Sequence, residues 1–179
     1  RVVFEVKNTA KSRRYVLALF LSAGAYCLSG CAATENQLAI PYAIQLVGTA
    51  DQNLTQQNQA APLQITVFQL RAADRFEAAD YFGLVQQPQQ VLGDQLLGHE
   101  AVVVEPEQKQ WVSSSGDVNA RYVGVVAGYR DLNQSQWRLV MPLPEAKKTN
   151  IYKFWQFSPK QAEIRVVLTR QGLQLDSSF

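Results

Sequence analysis

Short apolar runs recur along the chain beyond residue 42, and where apolar and polar residues alternate, a period of two is the spacing of a strand with one face buried and one wet. The alternation is cleanest in "AEIRVVLTR", where Ala162, Ile164, Val166 and Leu168 are set against Glu163, Arg165 and Thr169. "AIQLVGTA" (Ala43 to Ala50) and "LQITVFQL" (Leu63 to Leu70) are short apolar runs, the second rich in β-branched and aromatic residues. "HEAVVVEP", "RYVGVVAGYR" and "QWRLVMPL" repeat the theme, with "KQWVSSS" and "LQLDSSF" as weaker members. Short strands of this kind, separated by Gly, Pro, Asn and Asp, predict a mainly β fold, a two-sheet antiparallel sandwich over residues 42–179.

One stretch departs from period two. "AADRFEAADYFGLVQQPQQVLGDQLL" (Ala72 to Leu97) is long and Ala-rich, with the punctuation of two short helices. Asp74 followed by Glu77 has the spacing of an acid-headed capping box, and Pro88 suits the first turn of a second helix carrying Val91, Leu92 and Leu96. The reading is a small helical insertion over about 72–97, packed on the sandwich through Phe76, Phe82 and Leu92. By ordinary burial preference Phe76, Phe82, Tyr129, Trp137 and Trp155 belong to packing, while Arg130 and Arg138 belong on solvated strand faces beside acids.

The N-terminal segment follows another logic. Lys11, Arg13 and Arg14 precede the apolar run "YVLALFLSAGAYCL" (Tyr15 to Leu28), about 14 residues where a spanning helix needs roughly 20. A cationic start followed by a short run that is apolar all round is the pattern of an export signal, residues 1–30. "RVVFEVKNTA" before the cations is longer than such a signal needs, so the numbering is expected to begin upstream of the true start.

Charge agrees with this division. Five of the 17 basic residues and one of the 15 acidic ones precede residue 31, which leaves 12 against 14 in the remainder, a formal net charge of −2. The longest basic run there is Lys147-Lys148. A nucleic-acid reader needs a clustered positive face, and the remainder does not supply one, so no nucleic-acid partner is expected.

The chain holds two cysteines, Cys27 and Cys31. Leu28, Ser29, Gly30 and Cys31, placed directly after the apolar run, resemble a bacterial lipobox. That chemistry needs a branched apolar residue to seat in the peptidase groove, two small residues to enter the cleavage site, and a thiol to accept the diacylglyceryl group. A disulfide between Cys27 and Cys31 would sit inside the leader and staple nothing, and a metal site would need more ligands than the single His99 offers. Cleavage by the ordinary signal peptidase also tolerates small residues. Under the lipobox reading Cys31 becomes the lipidated first residue, and no cofactor beyond that covalent lipid is expected. Acyl chains each contribute about 0.8 kcal/mol per buried methylene, so three of them hold the chain on the membrane permanently. Ala32 follows the cysteine, where an aspartate would resemble an inner-membrane retention signal, so the expected location is the outer membrane, facing the periplasm. Residues 31–41, beginning "CAATENQL", are polar, small and unpatterned, which suits a tether.

Several stretches together resemble a known family. "PLQITVFQLRAADRFEAADYFGLV", "VLGDQLL" and "YVGVVAGYRDLNQSQWRLVMPL", in that order and within roughly Ala43 to Leu175, are similar to the outer-membrane lipoproteins of bacterial type VI secretion, the TssJ or SciN family. The resemblance implies a transthyretin-like sandwich with an added helical element and a long loop between its first two strands. It also implies a structural lipoprotein that anchors the secretion membrane complex by binding the C-terminal periplasmic region of its large inner-membrane component, of the TssM/IcmF-like type.

The loop in question is "DQNLTQQNQAAP" (Asp51 to Pro62), far longer than the two to five residues usual for a hairpin. Asp51, Gln52, Asn53, Leu54, Gln56, Gln57, Asn58 and Gln59 form the candidate partner-binding loop. Its side-chain amides both donate and accept hydrogen bonds, and Leu54 supplies a small apolar anchor. In the resembled family the asparagine is often followed by Pro, where this chain has Leu54. The bland alternative is a solvated hairpin tip. Two other functions compete: a lipid-anchored periplasmic binding or chaperone module, and a transthyretin-like hydrolase. The hydrolase would need convergent His and Arg residues, whereas His99 stands alone on a strand without a nucleophile turn. The expectation is therefore no enzyme, no metal and no small-molecule substrate.

Overall fold

Period-two burial closes around two sheets in a computed structural model that describes residues 36–145, 147–149 and 161–176. Leu28, Ser29, Gly30, Cys31 and Trp155 lie outside the described residues. The strands are β1 (Asn36–Leu38), β2 (Tyr42–Gly48), β3 (Leu63–Leu70), β4 (Leu96–Val104), β5 (Lys109–Ser114), β6 (Tyr122–Ala127), β7 (Arg138–Pro142), β8 (Lys147–Thr149), β9 (Ala162–Thr169) and β10 (Gly172–Asp176). One four-stranded sheet has the order β10-β9-β2-β5 and the other β4-β3-β6-β7, while β1 and β8 form a separate two-stranded pair. All eight runs read as strands from the sequence are present.

Two features differ from expectation. β2 and β9 run parallel, from Tyr42↔Ala162 to Gly48↔Leu168, in sheets whose other described strand pairs are antiparallel. The last part of the expected tether is also a strand. Asn36, Gln37 and Leu38 pair antiparallel with Thr149, Lys148 and Lys147, because a partner strand can recruit a polar segment that has no periodicity of its own.

The core lies between the sheets. Ile44 and Leu46 of β2 and Val166 and Leu168 of β9 meet Leu63, Ile65 and Val67 of β3 and Val123 and Val125 of β6. Each such side chain contributes about 1.5 to 3 kcal/mol when fully buried. β3 is buried on both faces, since Phe68 and Leu70 point the other way into a second cluster with Phe76, Leu84, Leu92 and Val126. A strand covered on both sides carries a nearly continuous apolar run, as "LQITVFQL" does.

The helical insertion covers that second face. It consists of α1 (Asp74–Ala78), α2 (Tyr81–Gln86), α3 (Pro88–Leu92) and a 3₁₀ turn (Gly93–Gln95), three short helices rather than two. Phe76 is fully buried, its ring centroid 5.5 Å from that of Phe68. Gly124 on β6 makes room for it, because a Cβ there would stand 2.5 Å from Phe76 Cζ.

Three details correct the sequence reading. Asp74 does not cap α1; its Oδ1 instead accepts from Gln95 Nε2 at 2.8 Å, and the side chain that does cap a helix is Asp80, whose Oδ1 accepts the Gly83 N–H at 2.8 Å. Phe82 is 60% exposed rather than packed. α2 turns Tyr81, Leu84 and Val85 inward at positions i, i+3 and i+4, which leaves Phe82 on the outer face. Arg138 is half-buried and, among the described residues, pairs with no acid. Its Nη1 donates to the carbonyls of Phe76 (2.9 Å) and Ala79 (2.8 Å), and its guanidinium lies 4.8 Å over the Trp137 ring. A cation on the last carbonyls of α1 satisfies acceptors the helix cannot, so Arg138 clamps the insertion to β7.

Candidate partner-binding site

β2 carries the chain from Tyr42 to Gly48, roughly 20 Å at the rise of a strand, and delivers the long loop to the end of the sandwich opposite that entry. The base of this loop is tied into the fold. Gln52 is fully buried, and its Nε2 donates to the carbonyls of Val104 (2.9 Å) and Ala61 (3.2 Å). Gly48 stands beside it, where a Cβ would lie 2.4 Å from Glu105 O and 2.7 Å from Gln52 Oε1, so the close approach of the β4–β5 turn requires glycine there. Asn53, also buried, takes the left-handed conformation (φ 46°) that asparagine tolerates. Its Nδ2 donates to Pro62 O at 3.0 Å, and its Oδ1 accepts the Arg130 N–H at 3.0 Å.

The expectation that Gln52 and Asn53 offer their amides outward is corrected by this burial: Gln52 Nε2 and both polar atoms of the Asn53 amide bond inside, closing the end of the sandwich. Beyond them the loop turns on itself. Thr55 N–H donates to Gln59 O at 2.8 Å, Asn58 N–H to Thr55 O at 3.0 Å, and Gln59 N–H to Thr55 Oγ1 at 3.2 Å, with Asn58 at φ 58°. Gln56, Gln57, Asn58 and Gln59 are exposed, Leu54 is half-buried, and Asp51 is exposed with its Oδ1 accepting from Thr49 Oγ1 at 2.6 Å. The loop therefore presents a small amide-rich tip on a rigid base.

Two other loops meet it. Leu54, Thr55 and Asn58 share a cleft of about 300 Å³ with Tyr129, Arg130 and Asp131 of the β6–β7 loop and with Arg170 and Gln171 of the β9–β10 turn. Sequence reading named none of the residues from these two loops as site residues. Arg130 was legible as part of "VAGYRD", but its sharing a cleft with Arg170 depends on Gln136 of the β6–β7 loop bridging to the β9–β10 turn.

Tyr129 is buried under this cleft, and burial, with the Asp51 carboxylate second, pushes its phenol above the ordinary value of 10.0. Burial raises Tyr42 and Tyr81 in the same direction. Tyrosines of the unfolded chain titrate near pH 10, so the stability these groups contribute is fully present below that pH and is lost as the pH rises toward their folded values. Thermal unfolding followed from pH 7 to 11.5 is expected to show the tyrosine-linked fall only above about pH 10, and Tyr129→Phe should make that fall shallower.

His99 sits exposed on β4 with its ring stacked on Phe68 at 5.9 Å. Among the described residues no group of three or more His, Cys, Asp or Glu is placed to hold a metal ion, and no helix is long and apolar enough to cross a membrane.

No curated protein sequence matches the chain. Among solved structures, Serratia marcescens Lip, a membrane-bound component of the type VI secretion system, is 35% identical with a TM-score of 0.69, covering 76% of this chain and 97% of its own. The type VI lipoprotein TssJ1 from Pseudomonas aeruginosa is 26% identical with a TM-score of 0.67, covering 77% and 95%. A chain of a structure described as the type VI protein TssM C-terminal domain from EAEC shares the fold at 17% identity and a TM-score of 0.58, covering 75% of this chain and 99% of that one. The family model for type VI secretion lipoproteins (T6SS-SciN: VasD, EvfM, TssJ) matches residues 41–171. With that match running from the start of β2 to the β9–β10 turn, across both sheets, the helical insertion and all three loops of the cleft, the chain belongs to the type VI secretion lipoprotein family.

Proposed function

We propose that this chain pins the type VI secretion membrane complex to the outer membrane, as a structural lipoprotein and not an enzyme. Its lipid is carried on Cys31, and its long loop binds the C-terminal periplasmic region of the large inner-membrane component. Family membership over residues 41–171 is the observation that carries the reading. The loop geometry supports it: an exposed amide tip, held on buried Gln52 and Asn53, lies at the far end of β2 from the point where the chain enters the sandwich. The solved structure of Serratia marcescens Lip, itself a membrane-bound component, supports the anchoring half of the reading.

The test has two arms. The lipidated chain, purified in detergent, is titrated onto the detergent-solubilised inner-membrane component by surface-based binding; saturable association is expected, and none at all would refute the partner. Cys31→Ser removes the acceptor while leaving the sandwich untouched, so the domain should fold and leave the outer-membrane fraction. Recovery of that variant in the outer membrane at wild-type levels would refute the anchor.

A further inference from the structure

The cleft behind the loop tip carries a charge pattern that the loop itself lacks. Arg130 and Arg170 both line it and both are exposed, and among the described residues neither side chain makes an ion pair or hydrogen bond. The acid that shares the cleft, Asp131, is occupied locally: its Oδ1 accepts the N–H groups of Asn133 and Gln134, both at 3.2 Å, and so holds the turn. Among the described residues, two guanidiniums without a side-chain partner therefore share the cleft with one carboxylate that already holds a turn.

The backbones beneath the two arginines are stitched together. Gln136 N–H donates to Gln171 O at 2.9 Å and Gln136 O accepts from Leu173 N–H at 2.8 Å, which joins the β9–β10 turn to the β6–β7 loop. Gly172 permits the contact, at φ 126° and with only 2.4 Å between a would-be Cβ and Gln136 N. Asn53 Oδ1 holds the Arg130 backbone from the third loop. The backbones that carry the arginines are thus set before any partner arrives, which lowers the ordering cost of binding.

We infer that this cleft receives a carboxylate side chain, an Asp or Glu of the protein partner, between Arg130 and Arg170. Guanidiniums are shaped for such a group, donating paired N–H bonds to its two oxygens. Asn58 and Thr55 also line the cleft and can position the peptide around it. The inference rests on the anchoring role proposed above and adds the chemistry of the partner: an acidic residue enters the cleft while neutral amides on the tip meet the flanking chain.

The experiment compares the lipidated chain with its R130E/R170E and R130K/R170K forms for binding to the solubilised inner-membrane component, at 50 and 500 mM salt. Both arginines are exposed and, among the described residues, make no side-chain bond, so the variants should melt at the parental temperature. R130E/R170E should lose at least about tenfold in affinity, R130K/R170K should lose less, and the parent should weaken with salt while the charge-reversed form changes little. Neutralising each Asp and Glu of the partner's periplasmic region in turn should find one whose loss matches that of the arginines and is not additive with it. Parental affinity in R130E/R170E would overturn the inference and leave the anchoring role standing. So would a loss in that variant with no single partner carboxylate to account for it. Absence of binding by the parent would overturn both.

Discussion

Phe76→Ala is expected to lower the stability of the domain by about 3 to 5 kcal/mol, the range for removing a fully buried aromatic ring. Three observations set the expectation. The ring is inaccessible, it lies 5.5 Å from Phe68 across the outer face of β3, and it occupies the space that Gly124 leaves on β6. Neighbours cannot easily refill that space, because Arg138 holds the end of α1 through the carbonyls of Phe76 and Ala79. The loss should appear as a lower urea midpoint, with the secondary structure retained in native buffer. Phe82→Ala is the control, since that ring is 60% exposed and its removal should leave the midpoint nearly in place. An unchanged midpoint for Phe76→Ala would mean that the insertion is peripheral to folding.

The second large effect falls on binding. Changing Leu54, Gln56, Gln57 and Asn58 together to Ser or Gly, with Gln52 and Asn53 kept, should preserve the fold and weaken association with the inner-membrane component by at least about 30-fold, the loss that follows from removing one hot spot of 2 kcal/mol. Secretion should stop with it. The boundary of the replacement matters. Gln52 and Asn53 bond to Val104, Ala61, Pro62 and the Arg130 backbone, so replacing them opens the end of the sandwich. Gln52→Ala should cost about 1 to 3 kcal/mol, because it strands buried carbonyls, and binding should then fall only as far as folding does. Wild-type affinity after the four-residue change would assign the interface to another surface.

Much of this architecture was legible in the linear pattern. Period two marked β9, and the near-continuous apolar run of β3 is what burial on both faces requires. Pro88 stood at the start of a helix, as its fixed φ and missing N–H allow. Where reading failed, the cause was a residue whose partner is remote in sequence. Arg138 read as a solvated strand cation because its acceptors, the carbonyls of Phe76 and Ala79, lie some 60 residues away. Asp74 matched a capping box, yet Gln95 from the far end of the insertion took its carboxylate. Asn36 to Leu38 had no strand pattern until Lys147 to Thr149 came alongside.

The candidate site divides along the same line. Sequence alone determined that a long amide-rich loop joins the first two confident strands, since turn length and strand periodicity are local properties of the chain. Only the tertiary structure decided which amides face outward. Gln52 and Asn53 look no different from Gln56 and Asn58 as letters, but the first two meet backbone carbonyls left open at the end of β4 and beside Pro62, and a buried acceptor claims the nearest donor. Likewise the pairing of Arg130 with Arg170 in one cleft had no local trace. It follows from Gln136 bridging to Gly172, a contact between the loops of two facing sheets that is set by their packing rather than by any neighbouring residue.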